Sequence, residues 1–207
     1  MVKKKHQLPV EKLDDPQWHS RGYLPHFDDQ STAQFVTFRL FDSLPSEVIA
    51  QIEWEHRLAT DGAKKQSFHK LLENSMDQGL GECWLARPEI ATIVQDALLF
   101  FDGDRYRIDS WVIMPNHVHV LIEPLNFCTL SDITFSWKSF TSKKANKLLG
   151  RFGRFWCPES FDRYIRDARH FYDVQHYIED NPVKAGLCAR AEDWEWSSAF
   201  HRVRGAV

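Results

Sequence analysis

Cysteine is scarce in this 207-residue chain, and Cys83, Cys128, Cys157 and Cys188 include no Cys-x-x-Cys pair. That pattern lacks the common zinc spacings and gives no sign of a disulfide framework, so reduced thiols are expected. Long apolar runs are missing too, which leaves no candidate membrane span. The opening Met-Val-Lys-Lys-Lys-His is followed by Gln, Pro, Glu and Asp, so no signal peptide is expected either. Charge of one sign is also lacking. The 26 Lys and Arg stand against 29 Asp and Glu, a net charge of −3, which removes any general argument for a polyanionic partner. Repeats, heptads and low-complexity tracts are absent from the pattern. These exclusions leave a soluble, cytoplasmic, globular protein as the expectation.

Apolar packing material, by contrast, is plentiful. Hydrophobic residues make up 43% of the chain and aromatics 14%, including eight tryptophans, enough for one substantial domain. The near-neutral average also hides an asymmetry: between Lys138 and Arg169 nine Lys or Arg stand against three Asp or Glu. Residues 1–33, polar and broken by Pro9, Pro16 and Pro25, read as an extension with little regular structure. Gln34–Leu40 alternates as a strand does. Ser46 can cap a helix running to about Leu58, and residues 61–81 read as partly helical, ending in a glycine-bearing turn. Pro88 suits the first turn of a helix that places Ile90, Ile93, Val94, Ala97 and Leu98 on one face.

Asp102-Gly-Asp104 signals a turn into a strand over Tyr106–Met114, and the short Pro115-Asn116 link predicts a neighbouring strand over His117–Glu123. Leu130–Leu149 has helical periodicity with Lys138, Lys143, Lys144 and Lys147 on its polar side, ended by Gly150 and Gly153. Phe161–Ile165 reads as a further strand. Ala168–Asp180 reads as a helix stopped by Asn181-Pro182. The order of elements predicts an α+β fold, a ferredoxin-like antiparallel sheet with helices packed on it.

Two features carry chemistry. His117 and His119 lie two apart in a strand, so their imidazoles share a face and could begin a metal site. The same spacing also fits a half-buried strand whose polar face holds two histidines. Tyr177 and Asn181 share a helix face, and an amide oxygen there could complete a metal shell. Taken alone, that spacing is explained more readily by a core tyrosine with a capping asparagine. Tyrosine is a poor nucleophile near neutrality because phenols titrate at about 10, but it serves when the electrophile is activated. Tyr164 and Tyr172 are rival candidates.

Several separated blocks resemble a known family. They are Gly22-Tyr-Leu-Pro-His26, Val36-Thr-Phe-Arg-Leu40 with Leu44-Pro45, and Gly79-Leu-Gly-Glu-Cys-Trp-Leu85. Then come Val112-Ile-Met-Pro-Asn-His-Val-His-Val120, Ser136-Trp-Lys-Ser-Phe-Thr141 and Phe161-Asp-Arg-Tyr-Ile-Arg-Asp167. The last are Tyr177-Ile-Glu-Asp-Asn-Pro-Val-Lys-Ala-Gly-Leu187 and Trp194-Glu-Trp-Ser-Ser-Ala199. In this order they resemble the REP-associated branch of the single-tyrosine His-hydrophobic-His (IS200-like) transposases, over most of residues 21–200. Cys157 is one departure, standing where relatives commonly carry a polar residue such as Gln; it touches no proposed catalytic position.

The resemblance implies the His-hydrophobic-His endonuclease/transposase fold, with a transposase domain over residues 34–200 and a tail over 201–207. It implies Mg²⁺ or Mn²⁺ held by His117, His119 and Asn181, with Tyr177 as nucleophile forming a 5′-phosphotyrosine bond on single-stranded DNA. Such enzymes cut and rejoin strands beside hairpins, such as repetitive extragenic palindromes, without a nucleotide cofactor. Cations interleaved with rings suit single-stranded DNA, which nominates Trp137, Lys138, Lys143, Lys144, Arg163 and Arg166 as contacts, alongside Phe140, Phe152, Phe155 and Trp156. Other readings stay open. One is a domesticated hairpin-binding regulator that does not cut, and another is a metallo-nuclease that releases free ends. A homodimer, and residence on the nucleoid when DNA is bound, are compatible with all of these.

Overall fold

Residues 1–33, expected to be irregular, contribute the first two strands. The structure, a computed structural model, describes residues 18–20, 25–27, 32–45, 47–50, 54, 75–76 and 79–205. Within them Trp18–Ser20 (β1) and Pro25–Phe27 (β2) pair antiparallel as a separate two-stranded ribbon, with His19 opposite His26. Three prolines hide the strand pattern from a sequence reading. Ser46, proposed as a cap, and most of the helix assigned to residues 46–58 lie outside the described residues, as does most of 61–81. Residues 47–50 are helical, as are 75–76.

The main sheet is built around the β-branched and aromatic run Gln34–Arg39 (β3), every residue of which is buried. It pairs antiparallel with both His117–Pro124 (β5) and Phe161–Tyr164 (β6), while Tyr106–Ile113 (β4) pairs antiparallel with β5. The order across the sheet is β4-β5-β3-β6. Strands β3 and β4 therefore run parallel with β5 between them, and β5 and β6 run parallel with β3 between them. Two interlocked split β-α-β units of this kind define the ferredoxin-like topology predicted from the order of elements.

Four helices complete the described fold: Pro88–Leu99 (α1), Leu130–Leu148 (α2), Ala168–Lys184 (α3) and Ser198–Val203 (α4). Pro88 opens α1 at a position whose N–H needs no intrahelical partner. Thr129 caps α2 by accepting from the Asp132 N–H, and Asp167 caps α3 by accepting from the His170 N–H. Helices α1 and α2 cover one face of the sheet, with Ile90, Val94 and Leu98 meeting Val36, Phe38, Val118 and Val120. The other face belongs to α3, whose Val174 and Ile178 pack with Phe35, Val112, Met114 and Leu121.

The stop expected at Asn181-Pro182 does not occur: α3 runs through both residues to Lys184. Proline removes a single N–H, and the last turn closes behind it. The Leu187 N–H donates to the Pro182 carbonyl at 2.8 Å and the Gly186 N–H to that of Val183 at 3.0 Å. Gly186 takes a φ of +70°. This is a Schellman ending, in which a glycine in left-handed conformation satisfies the last carbonyls. Asn181 and Pro182 are both buried within this last stretch of the helix.

A second correction concerns Trp137, nominated above as a DNA contact. It is only 2% exposed. The core-facing side of α2 runs Leu130, Ile133, Thr134, Trp137, Thr141 and Ala145, so helical periodicity turns the indole inward. Its Nε1–H donates to the Tyr106 hydroxyl at 2.8 Å, and that hydroxyl donates to the Leu98 carbonyl. The boundary placed after residue 200 also falls inside a helix, since α4 spans it and Arg202 bonds Glu179 of α3 at 2.7 Å.

Replacing Trp137 with Phe deletes that buried hydrogen bond and leaves part of the indole volume empty. We expect the variant to unfold with about 1–3 kcal/mol less free energy in urea titration. A variant as stable as the parent would contradict the core role assigned to this indole.

Candidate active site

Strand alternation places the imidazoles of His117 and His119 on the face covered by α3, and their Nε2 atoms stand 3.1 Å apart. Neither side chain is exposed. Each ring is held by its other nitrogen. Asn116 donates from Nδ2 to the carbonyls of Met76 and Leu80 at 3.1 and 3.0 Å, which turns its Oδ1 toward His117 Nδ1 at 2.7 Å. An amide oxygen can only accept, so Nδ1 of His117 carries the proton and Nε2 presents a lone pair. His119 sits opposite Thr37 across the β3–β5 ladder, with Thr37 Oγ1 at 2.7 Å from its Nδ1. A hydroxyl both donates and accepts, so Thr37 supports either tautomer of His119.

Burial holds both rings neutral. It pulls the His117 pKa down to about 3. His119 is lowered well below the usual histidine range, first by burial and then by the neighbouring His117 and Lys184. Two neutral imidazoles with convergent Nε2 atoms are donors suited to a cation between them.

The third element comes from α3. Tyr177 is half-buried, and its ring lies edge-on to His119 at 5.5 Å between centroids and to Phe35 at 5.9 Å. Phe35 in turn stacks on His119 at 5.4 Å, forming the floor of the site. Tyr172 is 64% exposed and packs edge-on to Phe171 instead. Tyr164 lies in β6 opposite Gln34. Of the three candidates, Tyr177 is thus the one whose ring meets the histidine pair.

One turn further along, Asn181 is wholly buried, and neither atom of its amide has a hydrogen-bond partner among the described residues. An orphaned buried amide costs stability, so its retention needs a reason. No group of three or more His, Cys, Asp or Glu among the described residues is arranged to hold a metal. A hard divalent ion would therefore draw on the two imidazoles, the Asn181 oxygen and oxygens from outside the chain. The amide and external oxygens suit Mg²⁺ or Mn²⁺, whereas the paired imidazoles are equally ligands for Zn²⁺, Fe²⁺ or Ni²⁺.

The nominated DNA contacts divide. Lys143 and Lys144 are exposed on α2, with the Lys144 ammonium 5.7 Å from the ring centroid of Phe140. Arg163 and Arg166 are exposed too, and the Arg163 guanidinium lies 5.8 Å from the ring of Phe35, which stacks on His119. Lys138 is largely committed: Nζ donates to the Pro158 and Glu159 carbonyls and to Ser160 Oγ. Burial pulls its pKa down to about 8. Phe140 and Phe152 are exposed, at 48% and 97%, whereas Phe155 and Trp156 are core residues. Beside α2, Phe135, Lys143 and Arg154 line a groove of about 550 Å³.

A protein of Escherichia coli (strain K12) described as a REP-associated tyrosine transposase is 28% identical over 115 residues, covering 53% of this chain. A solved REP-associated tyrosine transposase, bound to a REP hairpin, superposes with a TM-score of 0.54 over 88% of this chain and 86% of its own. The chain resembles the REP-associated tyrosine transposases. Identity to the solved transposase is 19%, so that likeness speaks for the fold. An uncharacterized protein of Haemophilus influenzae (strain ATCC 51907 / DSM 11121 / KW20 / Rd) is 26% identical over 132 residues, again covering 53% of this chain. The matches span just under two thirds of these relatives, 64% of the transposase and 66% of the H. influenzae protein. No family model matches the chain. No helix among the described residues is long and apolar enough to cross a membrane.

The sequence reading missed Thr37, Asn116, Phe35 and Lys184. Asn116 stood next to His117, yet its role depends on the Met76 and Leu80 carbonyls, 36 to 40 residues away. Thr37 becomes visible only once the strand register is known.

Two outcomes follow for protein kept in chelator. Asn181→Leu removes an unsatisfied buried amide, so it is expected to raise unfolding free energy by about 1–3 kcal/mol in urea. Destabilisation would mean that the amide has a structural partner. The histidine contribution to stability is fully present above the unfolded value of about 6.5 and is lost as pH falls toward about 3. Urea midpoints measured across that window should fall more shallowly in His117→Leu than in the parent.

Proposed function

We propose that this chain is a metal-dependent single-stranded DNA endonuclease and strand transferase. It acts at hairpin-flanked sites of the repetitive extragenic palindrome kind, through a 5′-phosphotyrosine intermediate. The observation that carries the reading is the packing of the Tyr177 ring against His119, whose Nε2 converges with that of His117 at 3.1 Å. Resemblance to a family whose solved member is bound to a REP hairpin supports the substrate class.

Tyr177 is the attacking group. Its oxygen forms a bond to phosphorus, the bond from phosphorus to the 3′-oxygen breaks, and the departing oxygen takes up a proton to become a 3′-hydroxyl. A divalent cation held by His117, His119 and Asn181 would, when bound, draw charge from a non-bridging phosphate oxygen. Asn116 and Thr37 keep the two imidazoles aimed, so that little reorganisation accompanies the reaction. Phe35 supports the Tyr177 and His119 rings from below. The phosphotyrosine bond conserves the diester's energy, and a later attack by a 3′-hydroxyl rejoins the strand without ATP.

The complete burial of both imidazoles favours a second reading, a hairpin-binding regulator that does not cut. Incubation of labelled single-stranded DNA from the gene's own flanks with protein and Mn²⁺ separates the two. A protease-sensitive adduct on a denaturing gel is expected with the parent and not with Tyr177→Phe, while both retain the hairpin on a native gel. Retention without an adduct would leave the regulator. The exposed cations of α2 supply a further outcome: changing Lys143 and Lys144 together to Ala should weaken DNA binding and reduce the salt dependence by about two phosphate contacts. An unchanged slope on titration with NaCl would remove α2 from the interface.

A further inference from the structure

The helix that carries Tyr177 and Asn181 ends on a lysine that the proposed reaction has not yet used. Because α3 runs through Pro182 instead of stopping before it, Lys184 lies on the same helix, three residues after Asn181. Helical side chains lean toward the N-terminus, and lysine is long enough to reach back over nearly two turns. Its ammonium sits 4.6 Å from the centre of the Tyr177 ring. Lys184 is exposed, so its charge stands at the mouth of the site while the histidines form its buried end.

Local electrostatics give this lysine a task. A phosphodiester at Tyr177 carries negative charge, more of it gathers on the non-bridging oxygens in the transition state, and a cation over the Tyr177 ring is placed to offset it. We infer that Lys184 is a catalytic residue that contacts a non-bridging oxygen of the scissile phosphate and neutralises charge as it accumulates in the transition state. The inference rests on the strand-transferase reading. In the step it serves, the Tyr177 oxygen–phosphorus bond forms and the phosphorus–3′-oxygen bond breaks. The phenolic proton passes to solvent, and the 3′-oxygen takes one up. Lys184 keeps its own protons throughout and contributes charge alone.

The test compares the parent, Lys184→Ala, Lys184→Arg and Tyr177→Phe in single-turnover adduct formation on hairpin-bearing single-stranded DNA with Mn²⁺. Binding on native gels and thermal melting are measured in parallel. Lys184→Ala is expected to slow adduct formation at saturating DNA by about 100-fold, the usual cost of losing one charge-stabilising donor. Binding should change by less than about threefold. Melting should not move, because the side chain is exposed. Lys184→Arg should recover a substantial part of the rate. Adduct formation by Lys184→Ala at the parent's rate, or no recovery with arginine, would overturn the assignment and leave the strand-transferase reading intact. Absence of an adduct with the parent itself would sink that reading and this inference together.

Discussion

Everything in the site depends on one ladder, the antiparallel pairing of β3 with β5. Its register sets Thr37 opposite His119 and Phe35 opposite Leu121. A slip of one residue would turn both histidines toward α1 and α2, because strand side chains alternate. Burial on both faces makes such a slip costly. Val36 and Phe38 belong to one core, Phe35 to the other, and β3 lies between paired neighbours on either side. The packing that stabilises the fold therefore also fixes which way the imidazoles point.

The site joins a rigid half to a helical half. The sheet supplies the histidines, each locked by a hydrogen bond to its outer nitrogen. The helix α3 supplies Tyr177, Asn181 and Lys184 in succession along the side turned to the sheet. Residues on one helix keep fixed spacing from one another, so their joint placement against the histidines depends on how α3 packs across the sheet. Ile178 and Val174 set that packing.

Much of this was legible in the sequence, for identifiable reasons. Strong local patterns gave β3 to β6, α1 and α2, and their order gave the ferredoxin-like topology. The histidine pair was legible because a spacing of two has one meaning in a strand. The end of α3 was misread because Asn-Pro is a common stop, and the competing signal at Gly186 lay just beyond it. The ribbon of β1 and β2 escaped because three-residue strands among prolines have no periodicity to detect. Trp137 was taken for a DNA contact because its neighbours are basic, although helical phase turns it inward. The supports of the histidines could not be found, since cross-strand and loop partners emerge only from tertiary structure.

The C-terminal segment has a bearing on association between chains. Strand β4 is the outermost of the main sheet, and such a strand offers unpaired N–H and C=O groups to any other extended chain. Here the Ile113 N–H donates to the Trp196 carbonyl at 2.8 Å, and the Trp194 indole donates to the Ile113 carbonyl at 3.0 Å. Ser197 bridges to Val112, and Ser198 takes the Trp111 N–H. Residues 194–198 thus occupy this end of β4 as a partner strand would, which closes that stretch of rim to growth of the sheet into a neighbouring molecule.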